Sequence, residues 1–140
     1  MQYENTENDI KVDVSAKYEE CVHGFPFDKS DDQYHNHFLI TVSTVYGSES
    51  FDYYGSARDC EKGKKILDDE DLKSAFRCIV DDALYGNMSF DEFCGELGYD
   101  EDSCRAHDIH KACGVTSGKL QNLISNEDDW YTIVNDLDEY

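Results

Sequence analysis

The stretch HFLITVSTVYGSESFDYYG, residues 37–55, decides the fold of this chain. It contains two runs rich in β-branched and aromatic residues, and these runs are separated by Gly47 and Ser48. Two such runs on either side of a glycine-containing turn are typical of a β-hairpin. Upstream, polar residues alternate with an apolar series that indicates one more half-buried strand: Ile10, Val12, Val14, Ala16 and Tyr18. The first half of the chain is therefore predicted to form a three-stranded antiparallel sheet.

Three other parts of the first half are predicted to lack regular structure. Residues 1–8 are polar and are predicted to be a flexible N-terminus, ahead of a single domain over residues 9–140. Residues 24–33, GFPFDKSDDQ, contain the only proline and are interpreted as a loop. Residues 55–65 are interpreted as a polar connection between the sheet and a helical half.

Beyond residue 65 the apolar residues recur at helical spacing. Asp68 or Asp69 is expected to cap the first helix, with further acids in its first turn, where the helix dipole favours negative charge. Gly86 and Asn87 are a suitable signal for its C-terminus. The residues that predict this helix, over about residues 69–85, are Leu72, Ala75, Phe76, Ile79, Val80 and Ala83.

Three further helices follow from capping signals and apolar spacing. Ser89 and the Glu three residues later form a capping-box pattern before a short helix that ends at Gly98. A longer helix over about residues 103–124 is predicted after a cap at Asp102 or Ser103, with two shorter helices broken at GVTSG as the alternative. The apolar face of the short helix is formed by Phe90, Phe93, Cys94 and Leu97. A last helix is predicted after Asn126, and its apolar face is formed by Trp130, Ile133, Val134 and Leu137. The predicted fold class is α+β, a three-stranded antiparallel sheet followed by a bundle of three to four helices.

The charge of the chain is its most informative bulk property. It has 32 Asp and Glu against 12 Lys and Arg, a formal net charge of -20. Such a surface repels nucleic acid and anionic membranes and attracts basic partners. Hydrophobic residues make up 39% of the chain, which is too many for a disordered acidic tail. The alternative, a charge that serves only solubility or a halophilic source, predicts carboxylates scattered evenly over the surface.

Neither an N-terminal apolar run nor a spanning stretch of ~20 apolar residues is found, so the protein is expected to be intracellular. In that compartment scattered cysteines are expected to be reduced. The six cysteines are Cys21, Cys60, Cys78, Cys94, Cys104 and Cys113.

The sequence predicts no cofactor, although two metal-binding patterns were tested. If Asp100 is the first position of a calcium-binding EF-hand loop, Arg105 stands where Gly is required and Lys111 where Glu is required. The four residues of a C-x2-H-x2-H-x2-C pattern are Cys104, His107, His110 and Cys113. On one helix the first and last of these point to opposite sides, so all four cannot bind one zinc ion. GVTSGK also departs from the phosphate-loop pattern in its spacing.

Short runs of carboxylates are interpreted as the functional surface. Rows of carboxylates can occupy a groove of Lys and Arg that otherwise binds DNA. Because such charges mainly accelerate association, buried anchors are also expected, and tyrosines suit that role. The predicted partner-binding residues are Asp68, Asp69, Glu70, Asp71, Asp81, Asp82, Tyr99, Asp100, Glu101 and Asp102.

Three segments, YYGSARDCEKG at 53–63, DDALYGN at 81–87 and FDEFCGELGYDEDS at 90–103, resemble small acidic proteins of unassigned function carried by phages and mobile elements of Gram-positive and gut bacteria. The resemblance covers about residues 38–125. In size and charge the chain also resembles phage-encoded anti-defence proteins, namely anti-CRISPR proteins and DNA-mimic anti-restriction proteins.

These resemblances, together with the charge, imply an inhibitor without enzymatic activity that acts in the cytoplasm of a bacterial host cell. Its partner would be a basic nucleic-acid-binding protein, in particular a CRISPR nuclease or effector complex, with no direct binding to nucleic acid or membrane. Two alternatives stay open. One is a metal-binding module or small enzyme that uses the Cys/His set, and the other is a phage adaptor protein without inhibitory activity.

Overall fold

The computed structural model describes residues 1–19, 35–56 and 67–138. These residues form an α+β fold, as predicted, but with four strands rather than three. The strands lie in the order β1-β2-β3-β4 in one antiparallel sheet. The elements are β1 (Gln2–Asn5), β2 (Ile10–Glu19), β3 (His35–Thr44), β4 (Gly47–Ser56), α1 (Asp69–Asn87), α2 (Phe90–Leu97), α3 (Cys104–Leu123) and α4 (Glu127–Asp138).

Two predicted segments fall outside this description. The loop expected at residues 24–33 and most of the connection expected at residues 55–65 lie outside the described residues. Within the described ranges, no helix combines the length and the apolar character needed to cross a membrane.

The strand that the sequence did not reveal is β1, which lies where a flexible terminus was predicted. Tyr3 is its one buried side chain, and it lies opposite Val12 of β2. The side chain of Asn5 accepts hydrogen bonds from the backbone N–H groups two and three residues later, which tightens the turn into β2. The Tyr3 hydroxyl also donates to Asp136 of α4. One apolar residue gives no alternation, so only pairing and this tertiary contact define the strand.

The predicted hairpin is confirmed and forms half of the sheet, but its turn is formed by Val45 and Tyr46, whereas the predicted turn residues Gly47 and Ser48 begin β4. β3 and β4 pair from His35 opposite Ser56 to Thr44 opposite Gly47. One face of the sheet is buried under the helices, with Trp130 of α4 fully enclosed and its indole N–H donating to the carbonyl of Ile124 at 2.9 Å. The main buried residues of this core are Val12, Val14, Phe38, Ile40, Val42 and Phe51 from the sheet, and Leu72, Phe76, Ile79, Val80, Leu120, Leu123, Trp130 and Ile133 from the helices.

Helices α1 and α3 touch through their backbones at Gly86. A Cβ atom on Gly86 would lie 2.2 Å from the carbonyl oxygen of Cys113 and 2.6 Å from the backbone nitrogen of Gly114. No side chain fits in that space, so glycine is required for this approach. Close by, the Ser117 hydroxyl donates to the side-chain oxygen of Asn87 and joins the same two helices. The sequence identified Gly86 only as the end of a helix.

The remaining helices largely follow their predictions. α3 is one continuous helix, and its N-cap is Ser103, whose hydroxyl accepts from the N–H of Ala106 at 3.2 Å. The break at GVTSG is therefore not formed. The prediction that Leu97 lies on the buried face of α2 is wrong, since 40% of it is exposed. The helix ends at this residue, and Gly98, with a φ of 73°, turns the chain away before Leu97 can be covered.

We expect Gly86→Ala to lower the free energy of unfolding by about 2 kcal/mol, because the methyl group overlaps the backbone of α3 and the two helices must separate. Urea denaturation followed by circular dichroism measures this value.

The matched control is Gly118→Ala, within α3. A Cβ there meets no atom within 4 Å, so alanine should raise the free energy of unfolding by up to about 1 kcal/mol. Equal effects of the two substitutions would contradict backbone contact at Gly86.

Candidate interaction surface

The helical layer carries most of the acidic residues that the structure describes. Residues 67–138 contain 18 Asp and Glu against five Lys and Arg. Eight of the acids occupy the first turns of α1, α2 and α4, where they interact favourably with the helix dipoles: Asp69, Glu70, Asp71, Asp91, Glu92, Glu127, Asp128 and Asp129. None of the four described helices has a basic residue in its last turn. These acids therefore stabilise local structure as well as charging the surface.

The first group of predicted partner-binding residues lies at the N-terminus of α1. Asp68 is the N-cap, and its side chain accepts from the N–H of Asp71 at 2.9 Å, while the Asp71 carboxylate accepts from the N–H of Asp68 at 3.0 Å. Glu70 forms a salt bridge of 3.1 Å with Lys73. Asp69 and Glu70 are exposed. The cap thus holds the carboxylates of Asp68 and Asp71 in fixed positions, and neither residue is fully buried.

Asp81 and Asp82 lie about 18 Å further along α1, at ~1.5 Å per residue. Burial raises the pKa of Asp81, and the positive charge of Arg77 opposes that shift. Burial raises the pKa of Asp82 to about 6, and the charge of Asp81 adds to the effect. Burial, with a contribution from Asp82, also raises the pKa of Cys113 in α3 to about 11. Although Asp82 keeps an exposed surface, its carboxylate is therefore partly desolvated beside α3.

A second, smaller core joins α2 to the first half of α3. Phe93, Cys94 and Ala106 are buried in it. The ring of Tyr99 stacks on Phe93 with centroids 5.8 Å apart, so Tyr99 is half-buried and packs the turn between the two helices. The predicted anchor at Tyr99 therefore also has a structural role.

The acidic turn between α2 and α3 is exposed and locally ordered. The Asp100 side chain accepts from the N–H of Asp102 at 3.0 Å, and the Asp100 carbonyl accepts from the N–H of Ser103 at 3.0 Å. Burial raises the pKa of the Cys94 thiol, and the nearby carboxylates of Glu101, Asp91 and Asp100 raise it further. Asp91 of α2 and the turn residues Asp100 and Glu101 thus lie close to the Cys94 thiol. The sequence had predicted Asp100, Glu101 and Asp102 but not Asp91.

The Cys/His pattern in α3 is divided among different environments. His107 stacks on Phe90 with centroids 3.9 Å apart, and Nε2 of His110 lies 2.8 Å from the carbonyl oxygen of Met88. Cys104 is exposed, whereas Cys113 is buried. In the part of the chain that the structure describes, no three His, Cys, Asp or Glu side chains are placed to hold a metal ion.

The predicted residues consequently form three groups: the start of α1, the second half of α1, and the turn between α2 and α3. Sequence analysis missed Val45 and Tyr46, which are 82% and 79% exposed at the turn between β3 and β4. No signal in the sequence marked them, because a two-residue hairpin turn usually carries Asn, Asp or Gly and the turn was predicted at Gly47 and Ser48. The acids that begin α4 were also not among the predicted residues.

Comparison with known proteins gives no match for this chain among family models, curated proteins or solved structures. The chemistry of the described surface is therefore the basis for inferring a function.

The raised pKa of Asp82 predicts a pH-dependent stability difference. Its folded pKa of about 6 lies above the ordinary value of 3.8, so the stability of the native protein falls as the pH rises through that interval. Asp82→Asn removes this charge. Above pH ~6.5 the free energy of unfolding of the variant should exceed that of the wild type by about 1 kcal/mol, a value that allows for solvent screening. This difference should shrink towards pH ~4. Urea titrations across this range measure the difference.

Asp108→Asn is the control, because it removes one exposed carboxylate from α3. A similar pH-dependent gain in that variant would show that net charge, rather than desolvation of Asp82, is responsible.

Proposed function

We propose that this protein is a non-enzymatic, phage-type inhibitor that acts in the cytoplasm of a bacterial host. Its helical carboxylates would occupy the basic nucleic-acid channel of a defence nuclease, with a CRISPR nuclease or effector complex as the target. The observation that supports this proposal most strongly is the charge of residues 67–138, where five cations accompany 18 carboxylates. The carboxylates of this segment outnumber its cations by 13.

The spacing of the acidic groups suits a channel that holds DNA. α1 has 19 residues, and at ~1.5 Å per residue it spans about 28 Å, the length of roughly eight base pairs. Acidic groups lie near both ends of this helix, at Asp68–Asp71 and at Asp81 and Asp82. Basic side chains spread along a DNA-binding groove could contact both groups.

Local hydrogen bonds favour binding by fixing the acids before contact. Asp68 and Asp71 are held in a reciprocal cap, and Asp100 is held by the backbone of the turn that it starts. Binding a partner would therefore cost less side-chain entropy than if the acids were on long, mobile side chains. Charged groups of this kind chiefly accelerate association and select the partner.

The alternatives differ from this proposal in what they require. A metal-binding module built on the Cys/His set would need His107 and His110 to leave Phe90 and Met88. A phage adaptor without inhibitory activity would bind a partner yet leave the partner's DNA binding unchanged. Binding to a nuclease without exclusion of DNA would therefore favour the adaptor.

Association kinetics should depend on salt and on the position of the acids. For a purified CRISPR nuclease loaded with its guide RNA, we expect the association rate constant to fall at least tenfold between about 50 mM and 500 mM NaCl. Neutralising the α2–α3 turn in the triple variant Asp100→Asn, Glu101→Gln, Asp102→Asn should lower the rate constant about threefold or more at low salt, with a smaller effect on dissociation. Biolayer interferometry measures both constants.

The control removes three exposed charges elsewhere, from β1 and the turn that follows it: Glu4→Gln, Glu7→Gln, Asp9→Asn. Equal losses in the two variants would mean that net charge alone matters. An association rate that ignores salt would contradict charge mimicry.

A further inference from the structure

The turn between β3 and β4 places two large apolar side chains in solvent. Val45 is 82% exposed and Tyr46 is 79% exposed, the highest values among the large apolar residues described. Single exposed apolar residues are common on protein surfaces. Hairpin turns usually carry small polar residues, however, and two apolar side chains lie side by side here. The fold does not require them at this turn.

The turn is fixed to the helical layer. The Thr44 hydroxyl donates to the carbonyl of Leu123, at the end of α3, at 3.0 Å and accepts from the N–H of Tyr46 at 3.2 Å. Nζ of Lys119, in α3, also donates to the carbonyl of Ser50, in β4, at 2.8 Å. Val45 and Tyr46 are thus presented by an ordered turn, which lowers the entropy lost when they bind.

The charge pattern around this turn differs from the rest of the chain. Among 140 residues with 32 acids, residues 33–48 and residues 109–126 contain no Asp or Glu. The contact between Thr44 and Leu123 joins these two acid-free segments in the fold. The acids nearest to the turn by strand pairing are Asp13, opposite Ser43, and Glu49, opposite Val42. The turn itself thus carries no charge, which suits the desolvated centre of an interface.

Acids also border the turn on its helical side. Glu127, Asp128 and Asp129 form the first turn of α4, which begins four residues after Leu123, within about 14 Å along the chain. Nδ2 of Asn87 donates to Oε2 of Glu127 at 3.3 Å and ties that helix end to α1. An apolar projection with acids at its border complements an apolar pocket that is surrounded by Lys and Arg.

We propose that Val45 and Tyr46 are the anchor of this protein, inserting into an apolar pocket of its basic partner while Glu127, Asp128 and Asp129 meet cations at the rim. This inference depends on the proposed function and adds to its carboxylate groups an uncharged contact at the C-terminal end of α3. Aromatic anchors in such pockets supply much of the binding free energy of protein interfaces. A second copy of the chain suits the site poorly, because it would bring two sets of rim acids and two net charges of -20 together.

The test is the double variant Val45→Ser, Tyr46→Ser, measured against a panel of purified CRISPR nucleases, each loaded with its guide RNA. With the nuclease that binds the wild type, we expect dissociation at least tenfold faster and an unchanged salt dependence of association, since a buried anchor acts on dissociation. Leu97→Ser is the control, because Leu97 is 40% exposed at the end of α2, and it should leave both constants unchanged. Urea midpoints of all variants report on folding.

Three results would overturn the inference. If the wild type binds and the double variant dissociates at the same rate, the anchor is wrong and the proposed function stands. If the wild type binds no nuclease of the panel, the proposed function and the anchor fail together. If sedimentation shows a wild-type dimer that the double variant dissolves, the turn is a contact between copies of this chain.

Discussion

Burial of one face of the sheet under the helices is the interaction on which the rest of this structure depends. That apolar contact, with Trp130 fully enclosed, must stabilise a chain whose net charge of -20 favours expansion. The packing leaves little freedom where α1 meets α3, because Gly86 brings the two backbones together. The acidic surface is thus carried by helices whose positions are set by the core.

The placement of the acids limits the cost of their mutual repulsion. Many of them begin helices, where they face the positive end of a dipole, and some accept backbone hydrogen bonds in caps and turns. Asp82 is the exception, since its carboxylate is partly desolvated beside α3 and its pKa is raised to about 6. A surface that is both strongly negative and locally ordered follows from ordinary helix capping, and such a surface is suited to a basic groove.

Most of the fold could be predicted because its segments show clear periodicity. The hairpin, α1 and α4 follow directly from the spacing of their apolar residues, and Ser89 and Ser103 are recognisable caps. The strand β1 has a single apolar residue and depends on pairing with β2, so no local pattern reveals it. The exposure of Leu97 depends on where α2 ends and on the packing around it.

The candidate surface could be predicted only in part. Runs of carboxylates are visible in the sequence, but their separation into three groups depends on the helix axes and on the turn after α2. The half-burial of Tyr99 arises from its stacking on Phe93, a tertiary contact. Val45 and Tyr46 look like any other apolar residues of a strand until pairing places them at the turn. Composition thus indicates the charge, while the fold determines where an uncharged contact can form.

Competition with DNA tests the central claim most directly. A CRISPR nuclease loaded with guide RNA would be saturated with this protein and then titrated with labelled target duplex, with fluorescence anisotropy as the measurement. If the carboxylates occupy the DNA channel, the two ligands exclude each other, and the apparent dissociation constant for DNA rises in proportion to the concentration of the protein. A ternary complex with unchanged DNA affinity would contradict the claim that this acidic surface takes the place of DNA.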